Sequence, residues 1–139
     1  MGSARFAWKP EYEVGDHTID GQHRQLLVLA NLLYDAVKMG KGEAVIGQAF
    51  DALGLYTTKH FDDEDRYFAA IGSLLLVEHR HQHEKLAQEL AALREEMLGF
   101  LDGIPDTLEH WVETRLIPHM VIDDQKAFHA PPLAAEHPA

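Results

Sequence analysis

Residues 43–71 read EAVIGQAFDALGLYTTKHFDDEDRYFAAI. Within them Ile46, Phe50, Leu53, Thr57, His60, Glu64, Tyr67 and Ile71 step by four and three in alternation. That spacing predicts one long helix whose inner face is a narrow stripe, the pattern of a helix packed in a bundle and not of a strand. The stretch begins after Gly42 and stops at Gly72-Ser73, glycine punctuation that suits helix ends. Two of its stripe positions, His60 and Glu64, are ionisable, and both questions about the chain, fold and chemistry, start from them.

The same rhythm recurs on either side. Ile19, His23, Leu26, Ala30, Leu33 and Val37 predict a helix from about Ile19 to Met39, ending at Gly40-Lys41-Gly42. Leu76, His79, His83, Leu86, Leu90, Leu93, Met97 and Phe100 predict a third, from about Leu74 to Phe100, ending at Asp102-Gly103. A fourth is expected from about Pro105 to Ala127, with Leu108, Val112, Leu116 and His119 on its seam and Pro118 interrupting it. Rods of this size are about 30–40 Å long at 1.5 Å per residue. With connections so short, neighbours should run antiparallel, so the expected fold is all-α: an up-down-up-down four-helix bundle with an extended N-terminal arm. The 139 residues suit a single domain over 1–139, with its core at about 8–128 and a flexible Pro/Ala-rich tail over 129–139.

Composition narrows the chemistry. The chain carries 12 Lys+Arg against 23 Asp+Glu, a net charge of -11, which argues against phosphate-tracking nucleic-acid binding. There is no Cys, which excludes disulfides, thiolate metal sites and a Cys nucleophile. No apolar run is long enough to insert in a membrane, and MGSARFAWKPEYEVG lacks the apolar centre of a secretory signal, so a cytoplasmic location is expected. The unusual component is histidine, with ten residues.

Five of those ten, His23, His60, His79, His83 and His119, fall on the four seams together with Glu64. His60/Glu64 and His79/His83 are i, i+4 pairs, so each projects from one helix face. One histidine on an apolar face is ordinarily a core residue hydrogen-bonded to a neighbour. Burying five with a carboxylate and no ion would cost several kcal/mol, a large part of the ~5–15 kcal/mol available to a domain. A cation resolves this, because neutral imidazole ligates Fe, Zn, Cu and Ni while carboxylate neutralises the charge. Five imidazoles, Glu64 and a further acid exceed a closed tetrahedral zinc site and suit two ions sharing bridging carboxylates. For the further acid, regular helical geometry favours Asp123, four residues after His119; Asp124, five residues on, would sit about 140° away.

The chain resembles the hemerythrin family, in its bacterial and hemerythrin-like branch. The residues carrying the resemblance are Trp8, VGDHTIDGQH with His23, HFDDE with His60 and Glu64, HRHQH with His79 and His83, and HMVIDD with His119 and Asp124. It extends from about Trp8 to Phe128 and fills all seven ligand positions. The resemblance implies two iron ions, one held by His79, His83 and His119 and the other by His23 and His60. Glu64 and Asp124 would bridge them with an oxo or hydroxo group, and the iron with two histidines would keep the open position where O2 binds. Asp124 then displaces Asp123 if a π-bulge lies between His119 and the acid, which Pro118 favours by removing a backbone N–H.

The pattern departs from the family near His119, where an aliphatic residue and a Trp one turn earlier are usual. Met120 and Arg115 stand there, with Trp111 a turn further back. Met120 is therefore a candidate for the O2 pocket and equally a core filler. His17, His81, His110, His129 and His137 are expected on the surface or near the ends, and Asp62, Asp63 and Asp65 on a solvated face beside the inward Glu64. Trp8 and Phe6 are expected to cap the bundle. The His-rich set favours reversible O2 binding, as in an oxygen carrier or store, over O2 cleavage. The alternatives are an O2-, redox- or NO-sensing domain of a signalling protein and, third, a peroxidase-like or NO-reducing enzyme. A chain of this length is expected to lack the output domain a sensor needs, which favours the carrier, while the tail HAPPLAAEHPA, read as a truncated linker, keeps the sensor open. Glu64 as a bridge leaves no inward acid for turnover. O2, and in the alternatives NO or a small anion, is the expected partner.

Overall fold

The computed structural model describes residues 5–99 and 104–129; the tail over 130–139, with His137, and the third-helix end at Phe100 lie outside them. Three α-helices come first: α1 (His17–Lys38), α2 (Glu43–Ala70) and α3 (Leu76–Gly99). A fourth helical rod over 104–129 is α-helical at Ile104–Trp111, π-helical at Val112–Leu116, π-helical again at His119–Asp124 and α-helical at Gln125–His129. With no β-strand among the described residues, the chain is an all-α four-helix bundle. α1 packs on α2, α2 on α3, and α1 on the first part of the fourth rod. Among the described residues no helix is long and apolar enough to cross a membrane.

Local chemistry sets the helix ends. Asp16 caps α1 by accepting from the Ile19 N–H at 3.0 Å, and the buried Asp20 reaches back to the N–H groups of Val14 at 2.7 Å and Gly15 at 3.2 Å. α1 closes with Lys41 N–H on Ala36 O at 3.0 Å, and α2 closes alike with Ser73 N–H on Phe68 O at 2.9 Å. Both closures pass through a left-handed residue, Gly40 at φ 62° and Gly72 at φ 68°, where a side chain would be strained.

The apolar core is Leu26, Ala30 and Leu33 of α1, Ile46, Phe50 and Leu53 of α2, Leu86, Leu90 and Leu93 of α3, and Leu108, Val112 and Leu116 of the fourth rod. One expected seam position moves. Tyr67 is 36% exposed and its neighbour Phe68 is fully buried. A strict 4–3 alternation averages 3.5 residues per step, whereas a straight helix has 3.6 per turn, so over a helix of this length the inner face drifts one residue onward. The segment before α1 lies across the bundle. Phe6 is buried and exchanges two hydrogen bonds with Asn31, its N–H donating at 2.8 Å and its carbonyl accepting at 2.9 Å. Gln125 Nε2 donates to the carbonyls of Glu11 at 2.8 Å and Glu13 at 2.9 Å, fastening that segment to the fourth rod.

Candidate metal centre

Each of the four rods delivers residues to one level of the bundle: His23 from α1, His60 and Glu64 from α2, His79 and His83 from α3, His119 and Asp124 from the fourth rod. All seven are buried, at 3% exposure or less. Their ligand atoms form two groups, each within 4.8 Å across: Glu64, His79, His83, His119 and Asp124, and His23, His60, Glu64 and Asp124. The groups share the two carboxylates.

The orientation of those carboxylates is the most specific feature. Glu64 turns Oε2 toward His23 Nε2 and His60 Nε2, both at 3.2 Å, and Oε1 toward His83 Nε2 at 3.0 Å and His79 Nε2 at 3.6 Å. Asp124 turns Oδ2 toward His23 Nε2 at 2.8 Å, and Oδ1 toward His79 Nε2 at 2.5 Å and His119 Nε2 at 3.1 Å. One oxygen of each acid thus serves the two-imidazole side and the other serves the three-imidazole side.

Asp124 reaches this position because the rod is π-helical over His119–Asp124. The wider π turn brings a residue five positions on back to the same face. Asp123 instead sits outside, with Oδ2 3.1 Å from His119 Nδ1. The preceding π stretch was not foreseen. There Ile117 N–H reaches Val112 O, and the Thr114 hydroxyl donates to His110 O at 2.6 Å. Pro118 already denies Thr114 O its usual partner four residues on, which was the available signal.

All five imidazoles present Nε2 inward, and two have an outer hydrogen-bond acceptor at Nδ1. His60 Nδ1 is 2.6 Å from Gln22 Oε1 and His119 Nδ1 is 3.1 Å from Asp123 Oδ2, whereas Asp65 Oδ1, 3.0 Å from His83 Nδ1, lies out of hydrogen-bond geometry. These acceptors place the ring proton on Nδ1 and leave the Nε2 lone pair free for a cation. Asp65, expected in solvent, therefore turns toward the site, and Gln22 went unnoticed because its neighbour His23 occupied the seam. His17, His81, His110 and His129 are exposed, as the seam pattern expects.

The donor set fits a cation on its own chemistry. His60 Nε2, Glu64 Oε1 and Asp124 Oδ2 are buried with no contact in hydrogen-bond geometry, although nitrogen and oxygen approach within 2.8–3.2 Å, and His83 and His119 point their Nε2 atoms at each other 3.1 Å apart. Without a metal the site balances its charges with protons. Burial alone would lower His23 and His79, yet hydrogen bonds to Asp124 and Glu64 push both up to about 9. His119, opposed by burial but facing Asp124 and Asp123, rises to about 10. Burial and the Glu64 charge press Asp124 upward, but His119 and His23 hold it at about 2. Burial likewise opposes the charge on Glu64, and the surrounding imidazoles hold it well below the usual carboxylate range.

Aromatic rings screen the cluster from water. Phe61 stacks on His83 at 4.0 Å and 4°, and Phe68 meets His79 edge-on at 4.8 Å. Met120 is 1% exposed and packs in the core, and Trp111 donates to Glu89 Oε1 at 3.2 Å.

Comparison with known proteins agrees with this geometry. The family model described as hemerythrin HHE cation binding domain matches residues 14–130. A bacteriohemerythrin of Clostridium acetobutylicum is 25% identical over 121 residues, covering 81% of this chain and 93% of its own. Bacteriohemerythrins of Pseudomonas paraeruginosa, at 28% over 121 residues, and Stenotrophomonas maltophilia, at 29% over 124, cover 87% and 88% of the chain and 78% of their own lengths.

Proposed function

Because the chain belongs to the hemerythrin family and forms a hemerythrin-type iron-binding domain, we propose that it binds O2 reversibly at a non-haem centre of two irons. His79, His83 and His119 would hold one iron and His23 and His60 the other, with Glu64 and Asp124 bridging them beside an oxo or hydroxo group. The observation that carries this reading is the split orientation of the two carboxylates, one oxygen to each imidazole group. An iron pair held there supplies, when bound, reversible electron donation to O2.

The chain's own residues favour binding over turnover. Both carboxylates in the cluster face imidazoles on two sides, so each is committed to holding a cation. Among the described residues the remaining buried acid, Asp20, is occupied with the N–H groups of Val14 and Gly15 at the start of α1. Phe61, Phe68 and Met120 keep water from the cluster, which limits loss of electrons by solvent-assisted oxidation. Met120, one residue after His119, lines the O2 pocket in this reading. The chain acts as an oxygen carrier or store.

Anaerobic reconstitution with Fe(II), exposure to air and removal of O2, followed by visible absorption, tests this. An absorption band that appears in air and disappears on deoxygenation is expected. One-way conversion to a ferric form overturns the reversible-binding reading. Uptake of fewer than two irons per chain overturns the di-iron reading itself.

A further inference from the structure

The two imidazole groups differ in what stands behind them. On the three-histidine side the outer groups are carboxylates: Asp123 hydrogen-bonds with His119, and the Asp65 charge stands 3.0 Å from His83 Nδ1 without hydrogen-bond geometry. On the two-histidine side the acceptor at His60 is a neutral amide, Gln22 Oε1 at 2.6 Å. Gln22 is itself held: its Nε2 donates to Asp63 Oδ2 at 3.0 Å, and that oxygen also accepts from Lys59 Nζ at 3.2 Å. The Asp63 charge is thereby engaged at the surface by Lys59, with Arg66 at 4.0 Å, and reaches His60 only through an amide. Fixing the amide's donor end on Asp63 forces its acceptor end toward His60, which fixes that ring's tautomer with Nε2 open to the cluster.

We propose that Gln22 is a positioning residue that makes the two metal positions unequal, holding His60 in its metal-ready tautomer with an uncharged acceptor while carboxylates back the opposite side. An ionised acceptor increases the donor strength of an imidazole and stabilises the more highly charged metal; an amide orients the ring without doing so. The His60 position is accordingly the weaker-binding and less easily oxidised of the two. This rests on the two-metal reading above.

The test compares the full chain with two variants. Gln22→Ala removes the acceptor. Gln22→Glu combined with Asp63→Asn exchanges amide and carboxylate, so net charge is kept while the carboxylate moves from beside Lys59 and Arg66 to His60. Each protein is titrated anaerobically with Fe(II), and the midpoint potential of the loaded protein is measured. In Gln22→Ala the first equivalent should bind as in the parent and the second about 10–100-fold more weakly. In the exchange variant the second equivalent should bind at least as tightly as in the parent, and the midpoint potential should fall. A merely structural Gln22 would not lower the potential in a variant that binds metal normally. Superposable titrations of Gln22→Ala and the parent, or an unchanged potential in the exchange variant, overturn the proposal. Failure of the parent chain to take up a second equivalent overturns the two-metal reading instead. If Gln22→Ala does not fold, the exchange variant alone decides.

Discussion

Along α1 the buried residues pass from His23 to Leu26, Ala30, Leu33 and Val37, and along α2 from Ile46, Phe50 and Leu53 to His60 and Glu64. The same rods therefore enclose two interiors, an apolar one of Leu and Phe and a polar one of imidazole and carboxylate. The apolar half drives folding on its own, since removing its side chains from water is favourable whatever the solution contains. The polar half is stabilised only when opposite charges meet there, whether supplied by protons or by metal. Stability and function are thus separated along the axis of one bundle.

The sharpest way to break that division is Glu64→Ala. It removes the acid shared by both groups, and iron retained after desalting should fall from two per chain to none, as read by metal analysis. Retention of one tightly held iron would show that the two positions do not depend on a common bridge. At the other end, Leu33→Ala or Leu53→Ala should cost about 2–5 kcal/mol in denaturant unfolding, with iron per folded chain unchanged. Loss of metal from these variants would mean that the halves are not separate.

The metal-free protein should answer to pH in two opposing ways. His23 and His79 keep a proton up to about 9 and His119 up to about 10, against an ordinary value of 6.5. Raised values of this kind stabilise the metal-free fold fully below 6.5, and that contribution is lost as pH climbs through 9 to 10. Metal must displace the same protons, so its affinity should rise across that interval, by about tenfold per pH unit for each proton released. Thermal melts without metal and metal titrations at pH 7, 8 and 9 check both slopes; parallel slopes would contradict the proton-for-metal exchange. The smallest expected change is Met120→Leu, under about 1.5 kcal/mol in stability because volume is conserved. Its oxidation rate in air should nonetheless differ from the parent's, and equal rates would remove Met120 from the O2 pocket.

How far the sequence reveals this varies with the kind of interaction. The helices and their inner faces are legible because burial has a period, and His23, His60, His79, His83 and His119 declare themselves by interrupting it. Asp124 is legible only with a π turn, which Pro118 hints at and family resemblance selects. Asp123 is legible as the residue four after His119, but Gln22 and Asp65 are not legible from periodicity. They sit beside the seam, and what they touch depends on how neighbouring helices are rotated, which no single-helix pattern records. Tyr67 and Phe68 exchange roles because a small angular drift accumulates over a long helix.

The Gln125 side chain hydrogen-bonds carbonyls 112 and 114 residues earlier in the chain. Asp124, its neighbour, is the acid that both imidazole groups share with Glu64. In order of synthesis, the last ligand therefore arrives together with the clasp that pins the leading segment. Such distant pairings form late, after the local helical contacts, because closing the long intervening loop must precede any gain. A nascent chain would thus expose all five of the cluster's histidines before the second shared acid existed, and the centre would close in one step when Asp124 and Gln125 dock.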